Sequence, residues 1–347
     1  MSLNLIPPHQ LEHSHPDSRP RGVKNKDKQL KIFDPHHEAE YAEDMVAYMR
    51  QLELKSQPRG HVINPVLESK SRSTLVDWLI QVQHHLQLQQ VTLYATVNII
   101  DRMVRRVHIS GRHYQTLGIT ALLIATKVFE RYAADINSGR HYQTLGITAL
   151  LIATKVFERY AADVSKLVYL TDNSCEYEDV LQMELVVLRT LDGWVTAAHP
   201  DFFAERFISI ALGIIPENDN FYLTLARFYL DCNLPYSIWH STIFSKIAAG
   251  ATCMVGKVTN KFTWNKTMEH YAKYTEDDLQ QTMSGMAVNV IYATTNSQFV
   301  GTFQKYSSSS RYNGLAKKME YSNESTVLKK LSIIAETLNL YADAAAK

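Results

Sequence analysis

The sequence of 347 residues contains none of the short motifs that carry common enzymatic chemistry. It has no glycine-rich phosphate loop, no GxSxG nucleophile and no HExxH zinc motif. The histidines at 36 and 37, and those at 84 and 85, are adjacent, and adjacent side chains on a helix point about 100° apart. Neither pair can therefore present two ligands to one metal ion. We expect no catalytic residue, no metal site and no cofactor.

The residues that stand out are charges at positions where apolar residues are expected. Arg72 opens a segment rich in Leu, Val, Ile and Trp, and Asp101 directly follows Ile99 and Ile100. Because a charge beside a core usually needs a partner, we expect Arg72 and Asp101 to form a buried ion pair between neighbouring helices. The alternative is that both side chains lie at the flank of their helices and reach water.

A second group of charges lies close to apolar segments. Lys127 and Lys155 each end an apolar run, and Glu184 follows Val180 by four residues on a stripe predicted to face the core. A lysine at a helix C-terminus is favourable by itself, by about 0.3 to 1 kcal/mol, but this effect does not account for Glu184. The pattern fits polar groups at the rim of a protein interface or a purely structural ion pair, and both interpretations remain open.

The two apolar runs belong to a segment that the chain contains twice. Residues 110–135, SGRHYQTLGITALLIATKVFERYAAD, recur unchanged at 138–163, with only Ile136 and Asn137 between the copies. A helix that is apolar on nearly every side belongs in the middle of a protein. We expect one copy to fill a core and the other to lie outside it. We favour the second copy for the core, because its Lys155 lies nearer to Glu184 along the chain.

The elements that must position these residues are all helical. Apolar residues recur at intervals of three and four, and no alternating segment is long enough for a sheet, so the predicted class is all-α. Asn173 with Glu176, and Thr275 with Asp278, have the spacing of a capping box and predict two helix starts.

The domain boundaries follow from changes in composition. Residues 1–35 are basic, lack periodic apolar positions and are expected to form a disordered arm. We predict helical domains at 36–196 and 197–320 and a helical tail at 321–347.

Composition narrows the class of partner. Lys and Arg number 36 against 35 Asp and Glu, a net charge of +1 that argues against broad binding to nucleic acid. The 3 cysteines form no CxxC pair, which is typical of a reducing compartment. The apolar runs are shorter than the roughly 18 residues that cross a bilayer. We therefore expect a protein partner, and neither nucleic acid nor a membrane.

The N-terminal arm carries a cluster of basic residues that could act as a nuclear-import patch. The cluster consists of Arg19, Arg21, Lys24, Lys26, Lys28 and Lys31. The alternative is a solvated basic tail without a receptor. The first interpretation predicts that the protein occurs in the nucleus and the cytoplasm.

Several motifs, in order over about residues 38 to 312, resemble the cyclin box of mitotic B-type cyclins. They are SRSTLVDWLIQVQ from Ser71, IIDR from Ile99, ATK in the repeat, LTDN from Leu170, QMEL from Gln182, SKIAAG from Ser245 and HYAKYTE from His270. The resemblance implies two tandem five-helix cyclin folds, the first carrying an extra duplicated helix. It also implies a regulatory subunit that binds and activates a cyclin-dependent kinase and controls mitotic (G2/M) progression.

The resemblance assigns roles to individual residues. Arg72 and Asp101 match the family's buried ion pair. The charged residues that meet the kinase's mobile helix are matched by Lys155 or Lys127, Glu184 and Glu158. The family's Lys-Phe-Glu-Glu reads Lys-Val-Phe-Glu here, which removes one acidic residue beside this contact.

The family's apolar docking patch for kinase substrates, MRAIL, reads SRSTL from Ser71. Serine and threonine remove apolar area, so docking through Leu75, Trp78 and Gln115 or Gln143 is expected to be weak. Two other functions remain open. One is a cyclin-fold transcription factor that binds nucleic acid, which needs a basic face. The other is an inactive cyclin-like product of the duplication.

Overall fold

The computed structural model describes residues 42–56, 70–107, 139–214, 216, 220–295, 300–308, 312, 315–316 and 329–336. The basic arm and the first copy of the repeat, with Lys127 and Gln115, lie outside the described residues, so their assignments stay predictions. Part of the predicted tail, 329–336, is helical. No helix in the described ranges is long and apolar enough to span a membrane.

The described residues form helices and no strand, which confirms the all-α class. In chain order the helices are α1 (Ala42–Ser56), α2 (Lys70–His85), α3 (Gln90–Val107), α4 (Gly139–Phe157), α5 (Val164–Leu170), α6 (Tyr177–Thr190), α7 (Pro200–Leu212), α8 (Phe221–Asn233), α9 (Ser237–Ser241), α10 (Phe244–Thr259), α11 (Lys266–Ala272), α12 (Glu276–Thr295) and α13 (Gly301–Ser307). The predicted domain boundary at 197 stays a prediction and falls between α6 and α7.

Helix α4, which comes from the second copy of the repeat, is the centre of the first bundle. It packs against α2, α3, α5 and α6, and every residue from Thr144 to Thr154 is buried. Each buried leucine or isoleucine in this run contributes about 1.5 to 3 kcal/mol of transfer free energy. The expectation that this apolar segment fills a core is confirmed for the second copy.

Helix α10 has the corresponding central place in the second bundle, packed against α7, α8 and α12. Its small residues 248–251 are all buried. A Cβ atom added at Gly250 would lie 3.4 Å from Met286 Sδ and 3.4 Å from Thr282 Cγ2. The absence of larger side chains on this face of α10 therefore lets α12 approach closely.

Each bundle is also covered by a helix from the far end of the chain. Helix α1 packs on α10, where the buried carboxylate of Glu53 accepts hydrogen bonds from Ser245 N and from Ser245 Oγ (2.8 Å). Helix α13 packs on α2, where Asp77 Oδ1 accepts from Gly301 N at 2.8 Å. Burial raises the pKa of Glu53 and that of Asp77, and in each case these hydrogen bonds oppose the shift.

One predicted helix start is confirmed and the other is wrong. Thr275 N and Oγ1 donate to Asp278 Oδ2, and Asp278 N donates back to Thr275 Oγ1, as the capping box requires. Asn173 does not begin α6, because its φ of 53° places it in a left-handed turn. The helix begins after Glu176, whose N–H donates to Asp179 Oδ2 at 3.0 Å.

Candidate protein-interaction site

The structure joins Lys155 and Glu184 at the surface of the first bundle. Lys155 Nζ donates to both carboxylate oxygens of Glu184, at 2.7 and 2.8 Å. The lysine side chain is 46% exposed and the glutamate side chain 14% exposed. Because α4 and α6 pack side by side, the pair lies at the rim of the groove between the two helices. Its position is compatible with both interpretations of these charges, an interface rim and a structural ion pair.

Exposed apolar side chains surround this pair. On α6, Tyr177, Leu181 and Leu185 are 44%, 37% and 54% exposed, and Val156 beside Lys155 is 43% exposed. At about 100° per residue, these three residues of α6 and Glu184 fall within an arc of about 100° on one helix face. Exposed apolar residues that share one face point to a binding surface more strongly than residues scattered singly. We call Lys155, Val156, Tyr177, Leu181, Glu184 and Leu185 the Lys155 face.

The apolar part of the Lys155 face was not among the sequence predictions. The signal was present: Tyr177, Leu181 and Leu185 are spaced by four residues, and their face is centred about 130° around α6 from its buried stripe. A helix with apolar residues on two faces indicates a core contact on one side and a second contact on the other.

Glu158 has a different environment. Its Oε1 accepts hydrogen bonds from Gln89 N and from Thr92 Oγ1, both at 2.7 Å. These donors lie at the start of α3, where backbone N–H groups have no partner within the helix. One carboxylate oxygen therefore caps α3, and a role of Glu158 in binding a kinase stays a prediction.

Arg72 and Asp101 form a two-pronged ion pair inside the protein. Arg72 Nε and Nη2 donate to the two Asp101 oxygens at 2.7 and 2.8 Å, and the side chains are 0% and 9% exposed. Arg72 Nη1 also donates to the carbonyl oxygens of Leu234 and Pro235 at 3.1 and 3.2 Å. The arginine therefore connects α2 and α3 with the C-terminal end of α8 in the second bundle.

A second buried charge, Asp231 on α8, has no counterpart in the sequence predictions. Its Oδ2 accepts from Lys305 Nζ (2.7 Å) and Tyr306 Oη (3.0 Å), and its Oδ1 accepts from Gln90 Nε2 (2.6 Å) and Tyr94 Oη (2.8 Å). Asp231 and Lys305 are both 0% exposed. Burial, then the charge of Asp231, raises the pKa of Tyr94 and of Tyr306 well above the ordinary value, so both phenols stay protonated. We call these five residues the Asp231 cluster.

The predicted docking patch is largely occupied by the protein itself. Leu75 is 5% exposed, and a Cβ atom on Gly146 would lie 2.8 Å from Leu75 Cδ1, so the leucine side chain rests on the glycine of α4. Trp78 is partly buried, and Gln143 Oε1 accepts a hydrogen bond from Ser174 Oγ at 3.0 Å. Substrate docking through these residues stays a prediction.

The described site residues offer contacts rather than reactive groups. Across the described ranges, no three His, Cys, Asp or Glu side chains come together as metal ligands would. Cys175, Cys232 and Cys253 are buried and unoxidised. The chemistry that the Lys155 face supplies is a charged pair surrounded by apolar area.

His199, at the start of α7, gives the fold a dependence on pH. It is 4% exposed, its ring lies edge-on to Phe157, and neither ring nitrogen has a hydrogen-bond partner among the described residues. Burial lowers its pKa to about 4, against an opposing effect of the Asp201 charge. In the unfolded chain His199 therefore binds a proton as the pH falls through about 6.5, whereas in the folded chain it stays neutral down to a pH of about 4. The free energy of unfolding therefore decreases as the pH falls below 6.5.

Between pH 7 and pH 5 we expect this effect to lower the free energy of unfolding by about 2 kcal/mol. Urea unfolding at both pH values measures the change. The control is His199→Leu, which removes the titrating group at similar volume and should show a pH dependence smaller by that amount. An equal pH dependence in the two proteins would contradict the assignment to His199.

Two family models match the chain. The model described as cyclin, N-terminal domain matches residues 44–142 and 133–196, and the model described as cyclin, C-terminal domain matches residues 199–320. The two N-terminal matches share residues 133–142, at the passage from the first copy of the repeat to the second.

Curated relatives agree with the family models. The chain is 31% identical over 274 residues to G2/mitotic-specific cyclin-B2 of Gallus gallus, covering 78% of this chain and 60% of that protein. It is 32% identical over 280 residues to G2/mitotic-specific cyclin-B of Spisula solidissima, covering 80% and 57%. It is 30% identical over 272 residues to G2/mitotic-specific cyclin-B of Hydra vulgaris, covering 78% and 66%. The match thus spans about three fifths of these relatives.

A solved structure has the same fold. The viral cyclin from herpesvirus saimiri aligns with a TM-score of 0.51 at 18% identity, covering 70% of this chain and 96% of that one. At this identity the likeness bears on the fold alone. The chain therefore belongs to the cyclin family, as a B-type member built from two tandem cyclin folds.

Proposed function

We propose that this protein is the regulatory subunit of a cyclin-dependent kinase, that it activates the kinase, and that the complex acts at the G2/M transition. The observation that carries the proposal is the Lys155–Glu184 pair on an exposed apolar face of the first bundle. The relatives named G2/mitotic-specific cyclins support the stage of the cell cycle. The protein itself supplies no catalytic group in this proposal.

The Lys155 face has the composition of a protein-binding surface. Tyr177, Leu181 and Leu185 supply apolar area that leaves water on binding, at about 25 cal/mol per Å². The charged pair supplies hydrogen-bonding groups of fixed orientation, because Glu184 holds the ammonium of Lys155 in place. We infer that the apolar side chains supply affinity and that the pair sets the register of the partner helix.

Activation requires only a difference in affinity. A kinase whose mobile helix has an active and an inactive arrangement is switched on by a ligand that binds the active arrangement more tightly. A shift from 1:99 to 99:1 needs about a 10⁴-fold preference, or about 5.5 kcal/mol. The rigid Lys155 face, with its helices fixed by the buried core of α4, is suited to recognise one arrangement and reject the other.

The test is the substitution Glu184→Ala. We expect it to weaken kinase binding at least about tenfold, because it removes the group that orients Lys155 and leaves the lysine to solvate at the interface. Protein stability should change by less than about 1 kcal/mol, since the pair is partly exposed and exposed ion pairs contribute little. Titration calorimetry with a purified kinase subunit, together with urea unfolding, separates the two effects.

The matched control is Glu269→Ala. Glu269 also pairs with an exposed lysine, Lys266 at 2.9 Å, and is partly buried to a similar degree, but it lies on α11 in the second bundle. This variant should bind the kinase as the parent does. Equal loss of binding in both variants, or none in Glu184→Ala, would count against the Lys155 face.

Two further parts of the proposal concern partners and location. Kinase substrates would dock only weakly through Leu75, Trp78 and Gln143, in keeping with the burial of Leu75. The basic patch of the N-terminal arm would direct the protein to the nucleus as well as the cytoplasm, and deletion of residues 19–31 followed by fluorescence microscopy tests this.

The other two functions are not favoured. A transcription factor that binds nucleic acid has no support in the net charge of +1 or in the named relatives. An inactive product of the duplication would be expected to lack a packed first bundle, whereas α4 is buried throughout its centre.

A further inference from the structure

We propose that the two copies of the repeat compete for one place in the fold, so that the first copy can replace the second as the central helix of the first bundle. The protein would then have two packings with the same core. In one, the surplus chain precedes the central helix, as in the structure. In the other, it follows that helix.

The contacts that hold the central helix come from residues that both copies contain. The buried run 144–154, the lysine that pairs with Glu184 and the glutamate that caps α3 all lie within 138–163. The first copy, 110–135, has the same residue 28 positions earlier in every case, with Lys127 for Lys155. An exchange of copies therefore changes no side-chain type in the core, and Lys127 would take the place of Lys155 in the contact with Glu184.

The ends of the helix allow the exchange. Glu158, just after α4, bonds to Thr92 at the start of α3, so the two helices run antiparallel. They are nearly equal in length, 18 and 19 residues, and the end of α3 at Val107 must therefore lie beside the start of α4. Three residues, 108–110, would connect Val107 to a central helix that starts at 111, and connections of two to eight residues are common in helical bundles.

The cost of the surplus chain is similar in the two packings. In the structure 31 residues, 108–138, separate α3 from α4. After exchange, the central helix would be 111–129, and 34 residues, 130–163, would separate it from α5. Loop-closure entropy depends on the logarithm of length, so a change of this size has almost no effect. With identical cores and surplus segments of similar length, the two packings differ little in free energy.

A pair of substitutions at equivalent positions tests the proposal in the full chain. Leu150 in α4 is 0% exposed, and Leu122 is the same residue in the first copy. An aspartate at a fully buried position excludes that copy from the core, because a buried carboxylate without a partner is strongly unfavourable. If the copies exchange, Leu150→Asp alone should shift the melting temperature by less than about 5 °C, since the first copy takes over.

Leu122→Asp alone should be equally mild, and the double variant should lose the cooperative melt of the first bundle. A melting temperature of Leu150→Asp between those of the parent and the double variant would also support exchange. The size of the shift would then measure the difference in free energy between the two packings. The proposal would be overturned if Leu150→Asp lowered the melting temperature as much as the double variant does while Leu122→Asp left it unchanged.

Limited trypsin digestion gives an independent readout. In Leu150→Asp the second copy leaves the core, so cleavage after Lys155 should increase at least about tenfold relative to Leu122→Asp, because local exposure governs cleavage in folded proteins. Mass spectrometry of the fragments identifies the site. Equal cleavage after Lys155 in the two variants would contradict the exchange.

Discussion

Replacing Arg72 with alanine is expected to lower the free energy of unfolding by about 3 to 5 kcal/mol, because it leaves Asp101 charged and buried without its partner. The same change removes the donor to the carbonyls of Leu234 and Pro235, so contact between the two bundles should weaken as well. Urea unfolding followed by circular dichroism measures the loss.

The double variant Arg72→Met with Asp101→Leu is the control, since replacing both members of a buried pair by apolar residues is often nearly neutral. It should recover much of the lost stability, but not all, because the two carbonyls remain without their donor. A loss below about 1 kcal/mol for Arg72→Ala would show that water reaches the site and that the pair behaves as a surface ion pair.

Replacing Asp231 with alanine is expected to have an effect of similar size, about 3 to 5 kcal/mol, for a related reason. It removes the carboxylate that accepts from the buried ammonium of Lys305 at 2.7 Å, while Gln90 Oε1, also at 2.7 Å, remains as an acceptor. Because Lys305 and Tyr306 lie on α13 and Gln90 and Tyr94 on α3, the change should also loosen α13. Hydrogen exchange of residues 301–307 should accelerate, beyond what the global loss of stability produces.

The double variant Asp231→Leu with Lys305→Met tests whether the unpaired charge is the cause. It should restore part of the stability, whereas Asp231→Ala with Lys305 intact should not. If the two variants are equally unstable, the loss comes from the cavity and from the two phenols, and not from the buried ammonium.

The residues that the sequence reveals share one property: they contradict their local pattern. Asp101 follows two isoleucines, and the repeat is too apolar for any place except a core. The structure joins Arg72 with Asp101 across 29 positions, and Lys155 with Glu184 across 29 positions. The first pair joins the consecutive helices α2 and α3, whereas the second joins α4 with α6. Helical periodicity marked all four charges, and consecutive order in the chain suggested the partner only for Arg72.

The partners of Asp231 could not be predicted from local sequence patterns. Asp231 follows Phe228, Tyr229 and Leu230, which is the signal that drew attention to Asp101. Its partner Lys305 lies 74 positions away on a seven-residue helix without a clear apolar period. Glu53 and Ser245 are 192 positions apart. Contacts of this kind depend on how two bundles and the terminal helices meet, and no local pattern encodes that arrangement.

The two predicted helix starts show how far capping-box spacing alone can locate the start of a helix. The capping box at Thr275 was predicted from the spacing of Thr275 and Asp278, and the structure joins these two residues. Before α6, residues 172 and 173 both have positive φ, and three acidic residues follow within the next six positions. Several starts satisfied the same spacing, and the turn geometry selected Glu176.

Activation of a cyclin-dependent kinase through the Lys155 face is the function proposed for this B-type cyclin. The most direct measurement is histone phosphorylation by purified cyclin-dependent kinase subunits, with and without the chain at about 10 μM, a concentration that detects even modest affinities. We expect the chain to stimulate at least one kinase, Glu269→Ala to stimulate it equally and Glu184→Ala to stimulate it much less. No stimulation and no complex with any of these kinases would contradict it.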